Sequence, residues 1–185
     1  TASVLADTGH RMARARDALQ ARLVGAVAEI ASDAPLGQVR LDRDGFAALD
    51  AETQLRLLTS ALCYVGSAEY RPRAASSDAL LDQVLSGRGG TLHGVDVIVE
   101  KAHLRFVREA AAVECRPARL GTLWDGQWVL RDQSGAMPGD AKVCALGQSG
   151  WCQIESKAPP LVPHRAALAL PAVWLNDALL ACPAL

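Results

Sequence analysis

Apolar residues change their spacing once along this chain, at a glycine-rich stretch over residues 85–95. Before that stretch they recur every three or four residues, which is the period of an amphipathic helix. After it the apolar runs are short, rich in β-branched residues and interrupted by glycine and proline, a pattern typical of strands. The sequence therefore predicts an α+β fold: an N-terminal helical array with a long first helix and a short β-hairpin, followed by a small mixed α/β terminal domain.

The first helix is predicted over residues 4–31, because its apolar side chains fall on one stripe. The stripe consists of Leu5, Met12, Ala15, Leu19, Leu23, Val27 and Ile30. At about 1.5 Å per residue this helix would be about 40 Å long. A helix of this length is too long to be covered by its own half of the chain unless other helices lie across it, and the stripe could stay partly uncovered.

Three further helices are predicted before residue 88. Asp42 is suited to cap the first, because an aspartate side chain accepts hydrogen bonds from free N–H groups at a helix start. The second is predicted to begin at Asp50 or Ala51. Gly66 is the expected end of the second. The third is predicted to begin at Ser76 or Ser77.

The glycine-rich stretch is predicted to join the helices to a hairpin with strands at residues 95–99 and 104–107. A phosphate-binding loop would follow a strand and open a helix, so that free N–H groups face the anion. Here the stretch follows a helix and opens a strand. We therefore predict that its glycines end a helix and reverse the chain, with nucleotide binding as the alternative.

The Arg-Pro-Ala-Arg sequence at residues 116–119 predicts a domain boundary. On this prediction, residues 1–115 form a helical substrate-binding domain that closes with the hairpin, and residues 116–185 form a small α+β domain. The Trp-Asp-Gly-Gln-Trp sequence at residues 124–128 predicts a hairpin, since Asp-Gly supports tight turns. A last hairpin is predicted around residues 176–177.

Composition limits the partners and the location of the protein. The net charge of −1 provides no global field to attract a nucleic acid, so that local patches would have to hold a polyanion. Five scattered cysteines without metal or redox spacing indicate reduced thiols and predict a cytoplasmic location. No run approaches the ~20 apolar residues that span a membrane, and no membrane partner is predicted.

No motif predicts chemistry within the chain. The four histidines lack the spacing of metal ligands, and the Gly-x-Ser-x-Gly elbow of many hydrolases is absent. A Ser–His–Asp triad assembled from distant residues stays open as an alternative. We expect no catalytic residue, no metal site and no resident cofactor.

Basic residues concentrate on the first helix, in a proline-containing loop and around the glycine-rich stretch. Clusters of this kind supply the phosphate contacts of nucleic-acid complexes. Arg11, Arg14 and Arg16 on the first helix are better explained as a solvated face. The candidates for polyanion contact are Arg71, Arg73, Arg88, Arg105 and Arg108.

Several short sequences occur along most of the chain in a characteristic order. They are Tyr70-Arg-Pro-Arg73, Leu85-Ser-Gly87, Thr91-Leu-His-Gly94, Val97, the Leu-Arg-Phe-Val-Arg-Glu run at 104–109, Trp124-Asp125-Gly126, Leu170-Pro-Ala-Val-Trp174 and the Asp-to-Pro run at 177–183. In this order they resemble the C-terminal part of bacterial tRNA(Ile)-lysidine synthetases. The resemblance implies a helical tRNA-binding domain followed by a small terminal domain, and it makes the candidate arginines RNA-binding residues.

In that family an N-terminal domain with a Ser-Gly-Gly-x-Asp-Ser loop uses ATP to adenylate the wobble cytidine of tRNA(Ile), and lysine then displaces AMP. That loop is absent from this chain, which begins at Thr1 rather than at methionine. The resemblance therefore implies a fragment that lacks the catalytic domain, has tRNA(Ile) as partner and is inactive alone. ATP and lysine would be used by the absent domain of the parent ligase.

The terminal domain departs from the family pattern. Family members carry a basic stretch and a lysine-rich helix there, whereas residues 133–157 offer Lys142 beside Met137-Pro-Gly-Asp140 without a basic cluster. A structural role of this domain is therefore expected.

The alternative function is a protein-interaction or dimerisation module without catalytic activity. It rests on the stripe of the first helix, which could pair with a second copy of the chain and form a homodimer.

Overall fold

The computed structural model describes residues 2–113, 116–133, 135–154 and 163–185. The helices are α1 (Ala2–Ile30), α2 (Arg43–Ala48), α3 (Ala51–Gly66), α4 (Ala74–Leu85), α5 (Gly147–Gln153) and α6 (His164–Ala167), with a 3-10 turn at Ala110–Ala112. Helices α1 to α4 precede most of the strands, and the later part mixes short helices with strands. The predicted α+β class is confirmed.

The strands are short and pair antiparallel. They are β1 (Ala31–Ser32), β2 (Val39–Asp42), β3 (Gly90–Leu92), β4 (Val95–Val99), β5 (His103–Arg108), β6 (Ala118–Arg119), β7 (Leu123–Trp124), β8 (Trp128–Val129), β9 (Lys142–Ala145), β10 (Pro171–Leu175) and β11 (Ala178–Ala181). One sheet has the order β1-β2-β5-β4-β3 and a second has the order β11-β10-β9-β6. Strands β7 and β8 form a separate hairpin.

The predicted hairpin after the glycine-rich stretch is confirmed as β4 and β5, with Val97 opposite Phe106. It forms the centre of a five-stranded sheet rather than standing alone. Strand β2 lies within residues 38–42, where polar and apolar residues alternate as in a strand. Strands β1 and β3, of two and three residues, are too short to show an alternating pattern, which explains why they were not predicted.

Strand β5 carries apolar side chains on both faces of the first sheet. Leu104 and Phe106 belong to the core that α3 completes with Leu62, and all three are almost fully buried. Val107, on the opposite face, packs in a separate cluster with Leu170 from the end of the α6 region. The first sheet is therefore covered on one side by early helices and on the other by later residues.

The predicted cap of α2 at Asp42 is confirmed, and α3 begins at Ala51, one of its two predicted starts, with Asp50 as its N-cap. Asp42 Oδ1 accepts a hydrogen bond of 2.6 Å from the Gly45 N–H, and Asp50 Oδ1 accepts one of 3.0 Å from the Thr53 N–H. Hydrogen bonds from Thr53 and from Arg22 lower the pKa of Asp50 from 3.8 to about 2. Asp50 thereby connects the start of α3 to the middle of α1, where Arg22 lies.

The predicted start of α4 at Ser76 or Ser77 is wrong. The helix begins at Ala74 with Arg73 in the N-cap position. Ser77 is buried, and its hydroxyl donates a hydrogen bond of 3.2 Å to the Arg73 carbonyl four residues earlier. This internal bond satisfies the serine inside the first turn, so the hydroxyl does not act as a cap.

The first helix is confirmed at nearly the predicted length, and its stripe is covered only in part. Only Leu23 and Ile30 of the predicted stripe are buried, whereas Leu5 is 74% exposed and Met12 is 70% exposed. The tertiary contacts of α1 lie in its C-terminal half, where Arg22 reaches Asp50. The helical period predicted the stripe correctly, but the rest of the described chain packs against only one end of it.

The glycine-rich stretch combines a helix end with close packing. Gly87, just after α4, has a φ of +81°, as the predicted chain reversal requires. A Cβ at Gly89 would overlap the carbonyl oxygen of Val97 in β4, and a Cβ at Gly90 would lie 2.7 Å from Leu80 Cδ1 in α4. The prediction that these glycines serve only the turn was therefore incomplete, since two of them allow β3 to approach its neighbours.

We predict opposite effects for alanine at two glycines. Gly89→Ala should lower the free energy of unfolding by roughly 1–3 kcal/mol, because its Cβ would force a backbone oxygen away. Gly25→Ala, in the exposed interior of α1 with open space where the new Cβ would lie, should raise it by up to about 1 kcal/mol through helix propensity. Urea unfolding followed by circular dichroism measures both, and a stabilising Gly89→Ala would contradict the packing.

Candidate nucleic-acid interface

The loop between α3 and α4, residues 67–73, carries two of the candidate arginines and is fixed at three points. Ser67 ends α3 in the left-handed conformation with a φ of +51°. The Tyr70 carbonyl oxygen lies 2.9 Å from His93 Nε2 and accepts a hydrogen bond of 3.6 Å from the Cys63 thiol. Burial raises the pKa of Cys63 against the opposing charge of Arg71, which keeps the thiol protonated as a donor.

Arg71 and Arg73 lie on either side of Pro72 in this loop, and both are exposed. Arg73 is the residue before the first turn of α4, and its side chain makes no capping hydrogen bond. Neither guanidinium group forms an ion pair with another residue of the described chain. The two side chains therefore present uncompensated positive charge to solvent at the start of α4.

Arg88 lies at the opposite end of α4. Its Nε donates a hydrogen bond of 3.3 Å to Ser86 Oγ, and the side chain is exposed. Arg43 is close to the same turn, since a Cβ at Gly87 would be 3.2 Å from its Nη2. Helix α4 has 12 residues, about 18 Å at 1.5 Å per residue, so the structure does not bring Arg88 together with Arg71 and Arg73.

Arg105 and Arg108 are held inside the protein by carboxylates. Arg105 Nε donates to Glu100 Oε1 at 2.7 Å with 13% of its side chain exposed, and this hydrogen bond lowers the pKa of Glu100. Arg108 donates to both oxygens of Asp125, at 2.7 and 2.8 Å, and to the Gly94 carbonyl at 2.7 Å. Their assignment as RNA-binding residues stays a prediction, and these contacts disfavour it.

The predicted hairpin at residues 124–128 is confirmed as β7 and β8, and it supports the arginine loop from the other side. Asp125 and Gly126 have positive φ angles of 46° and 68° at its turn. Gln127 Nε2 donates to the carbonyls of Tyr64 and Val65 at 3.1 and 2.9 Å, at the free end of α3. The end of α3, where the loop begins, is therefore held by the later half of the chain.

Two exposed tyrosines lie in the same region, and the sequence pattern did not mark them as candidate residues. Tyr64 near the end of α3 is 64% exposed and Tyr70 in the loop is 75% exposed. They are the only tyrosines of the chain. Their positions in the sequence could have indicated exposure, because Tyr64 lies outside the apolar stripe of α3 and Tyr70 is next to Arg71.

The described residues offer little for other classes of site. Histidine, cysteine, aspartate and glutamate side chains form no group there that could hold a metal ion. A cavity of about 550 Å³ lies in the later part of the chain, lined by residues that include Cys144 and Asp177. Among the described helices, none combines the length and the apolar character needed to cross a membrane.

Comparison with curated proteins shows a similarity to one class of protein, the tRNA(Ile)-lysidine synthases. The matching relative is the tRNA(Ile)-lysidine synthase of Ruegeria pomeroyi, which is 34% identical over 179 residues, or 97% of this chain. The chain spans 42% of the length of that relative. The resemblance predicted from the sequence is therefore confirmed, with a coverage consistent with a C-terminal fragment.

The other two comparisons add no further relative. No family model matches the chain. No solved structure matches it.

We predict that Arg108→Ala lowers the free energy of unfolding by about 3–5 kcal/mol, because it leaves the Asp125 carboxylate, 3% exposed, with only a distant partner. Arg16→Ala is the matched control. Arg16 also contacts an aspartate through two guanidinium nitrogens, but both side chains are more than half exposed, so its loss should cost under about 1 kcal/mol. An equal decrease in the free energy of unfolding for both variants, measured by urea unfolding, would show that the buried ion pair contributes no more stability than the exposed one.

Proposed function

We propose that this chain is the tRNA-recognition portion of a ligase that converts the wobble cytidine of tRNA(Ile) to lysidine. The observation that carries the proposal is the 34% identity to a tRNA(Ile)-lysidine synthase over nearly the whole chain. More than half of that relative lies outside the matched span. The chemistry, with ATP and lysine as substrates, is assigned to such a further part, in the cytoplasm, and the chain alone is proposed to be inactive.

The distribution of free positive charge supports a polyanionic partner. Arg71 and Arg73 lie at one end of α4 and Arg88 lies at the other, about 18 Å apart by the helix rise. A small anion cannot reach both ends, whereas an RNA backbone carries a regular series of phosphates. Contacts of this kind position an RNA without reading its sequence.

The two proposed domains would have different roles in tRNA binding. Residues 1–115 contain the free arginines and would contact the tRNA. Residues 116–185 would support them, because Gln127 holds the end of α3 and Asp125 holds Arg108. This division agrees with the expected structural role of the terminal domain.

Replacement of Arg71, Arg73 and Arg88 by alanine should weaken binding of a tRNA(Ile) transcript and flatten its salt dependence. Each lost phosphate contact lowers the slope of log K against log salt by about 0.7–0.9, so that three contacts give about 2–3. Fluorescence anisotropy with labelled transcript from about 50 to 200 mM salt measures both quantities.

The control is the triple variant Arg11→Ala, Arg14→Ala and Arg16→Ala, which removes the same charge from the exposed face of α1. It should leave the slope within about one unit of the parent value. A wild-type chain that does not bind the transcript at low salt would refute the proposed function. Equal effects of the two triple variants would refute the assignment of Arg71, Arg73 and Arg88 as phosphate contacts.

A second candidate function, a homodimer formed through α1, is favoured by one observation. Leu5 and Met12 lie seven residues apart on the predicted stripe, and each is at least 70% exposed. Two such stripes could bury one another in an antiparallel or parallel pair of helices. A second copy of the chain is the proposed occupant, because it carries the identical stripe.

Replacement of Leu5 and Met12 by glutamate tests this candidate. If the dimer forms, light scattering of the parent chain should show a mass that rises with concentration, and the double variant should stay at the mass of one chain. The circular dichroism of the variant should be unchanged, because both side chains already lie in solvent. A parent chain that is monomeric up to about 100 μM contradicts the candidate.

A further inference from the structure

We infer that Tyr70 is a stacking platform for an unpaired base of the RNA whose backbone the neighbouring arginines contact. This role rests on the proposed function and names a contact that the similarity does not assign. Four observations carry it: the exposure of the ring, the fixed backbone beneath it, the adjoining free charge, and the contrast with the second exposed tyrosine.

The exposure of Tyr70 is unusual for the aromatic residues of this chain. Three-quarters of the residue is exposed to solvent, whereas Phe46, Phe106 and Trp124 are almost completely buried. A tyrosine ring is amphipathic and has few rotatable bonds, so it loses little conformational entropy when a ligand covers it. An exposed ring of this kind is suited to contact a partner.

The backbone at Tyr70 is held in place before any partner binds. Its carbonyl oxygen has contacts with His93 in the turn between β3 and β4 and with Cys63 in α3. Pro72 fixes its own φ and restricts the conformation of Arg71. The ring therefore projects from a rigid loop, which lowers the ordering cost of binding.

The charge around Tyr70 favours a nucleotide over an uncharged partner. Arg71 adjoins it, Arg73 lies two residues further along, and neither is paired within the described chain. Glu69 is the one acidic residue of the loop, so its net charge is positive. A ring and a guanidinium group on neighbouring residues match the two parts of a nucleotide, the base and the phosphate.

The partner must offer an unpaired base. Bases inside an RNA helix are stacked on each other, and protein side chains reach them poorly. Bases in loops and at ends can be splayed out and stacked on aromatic side chains. We therefore assign Tyr70 to a loop or an end of the tRNA rather than to one of its stems.

Tyr64 provides an internal comparison. It has the same side chain and is 64% exposed, but it lies on the surface of α3, and the residues on either side of it are the uncharged Cys63 and Val65. We therefore expect the loss of Tyr64 to matter much less than the loss of Tyr70. Their comparison separates a specific contact from a general effect of aromatic area.

The test measures the affinity of the 185-residue chain for a tRNA(Ile) transcript and for a fully paired RNA duplex of similar length. Tyr70→Ala should weaken transcript binding by about 5- to 150-fold, the range that corresponds to one stacked base. Tyr70→Phe should retain most of the affinity, since it keeps the ring. Tyr64→Ala should change it less than about 2-fold.

Two further readouts separate the stacking contact from the proposed function. Tyr70→Ala should leave the salt slope unchanged, because no phosphate contact is lost, and it should leave duplex binding unchanged. If the parent chain binds the transcript but Tyr70→Ala binds equally well, the stacking role is wrong and the proposed function stands.

If the parent chain does not bind the transcript, the proposed function itself fails, and the stacking contact fails with it. Equal losses for Tyr64→Ala and Tyr70→Ala would overturn the assignment to Tyr70.

Discussion

The buried ion pair between Arg108 and Asp125 connects the elements on which the candidate interface depends. Arg108 comes from β5, and its guanidinium group donates to Asp125 in the β7–β8 hairpin and to the Gly94 carbonyl in the turn between β3 and β4. One side chain thereby joins three segments. The bidentate geometry matters because removing both charges from water is costly unless their hydrogen bonds are satisfied. Arg116, at 3.6 Å, adds a weaker attraction from the solvent side.

This ion pair also determines where the hairpin lies relative to α3. With Asp125 held at the end of the central strand β5, Gln127 reaches the carbonyls of Tyr64 and Val65. Those carbonyls belong to the last turn of α3, where a helix leaves its acceptors unsatisfied. On the other side, His93 in the turn next to Gly94 contacts the Tyr70 carbonyl. The exposed loop with the free arginines is thus supported by polar contacts on both sides.

The sequence predicted features that depend on local spacing and missed those that depend on long-range contact. The length of α1, the cap at Asp42, the start of α3 and the Asp-Gly turn follow from neighbouring residues, and all are confirmed. The length of α1 indicated that its stripe could stay partly uncovered, but nothing in the sequence indicated which end would be covered. The sequence did not predict the partner of Arg108 either, because Asp125 is 17 residues away and several other acidic residues could have paired with that arginine. Strands of two or three residues likewise form because a neighbour pairs with them, and their own pattern is too short to show it.

The sequence predicted five arginines as one set of interface residues. The tertiary structure divides them into arginines paired with internal carboxylates and arginines without an acidic partner among the described residues. A guanidinium group can neutralise an internal carboxylate or face a phosphate, and the sequence does not distinguish these uses. In a chain with a net charge of −1, this division decides where a polyanion can bind. Ion pairs with Glu100 and Asp125 occupy Arg105 and Arg108, so the positive potential that reaches solvent comes from the arginines left without acidic partners. Arg71 and Arg73 belong to the arginines without an acidic partner in the described part of the chain. Their loop contains one acidic residue, Glu69, and is held by contacts to the Tyr70 backbone carbonyl rather than by ion pairs. Internal pairing thus occupies Arg105 and Arg108, whereas Arg71 and Arg73 keep free charge beside Tyr70, on which the proposed stacking contact depends.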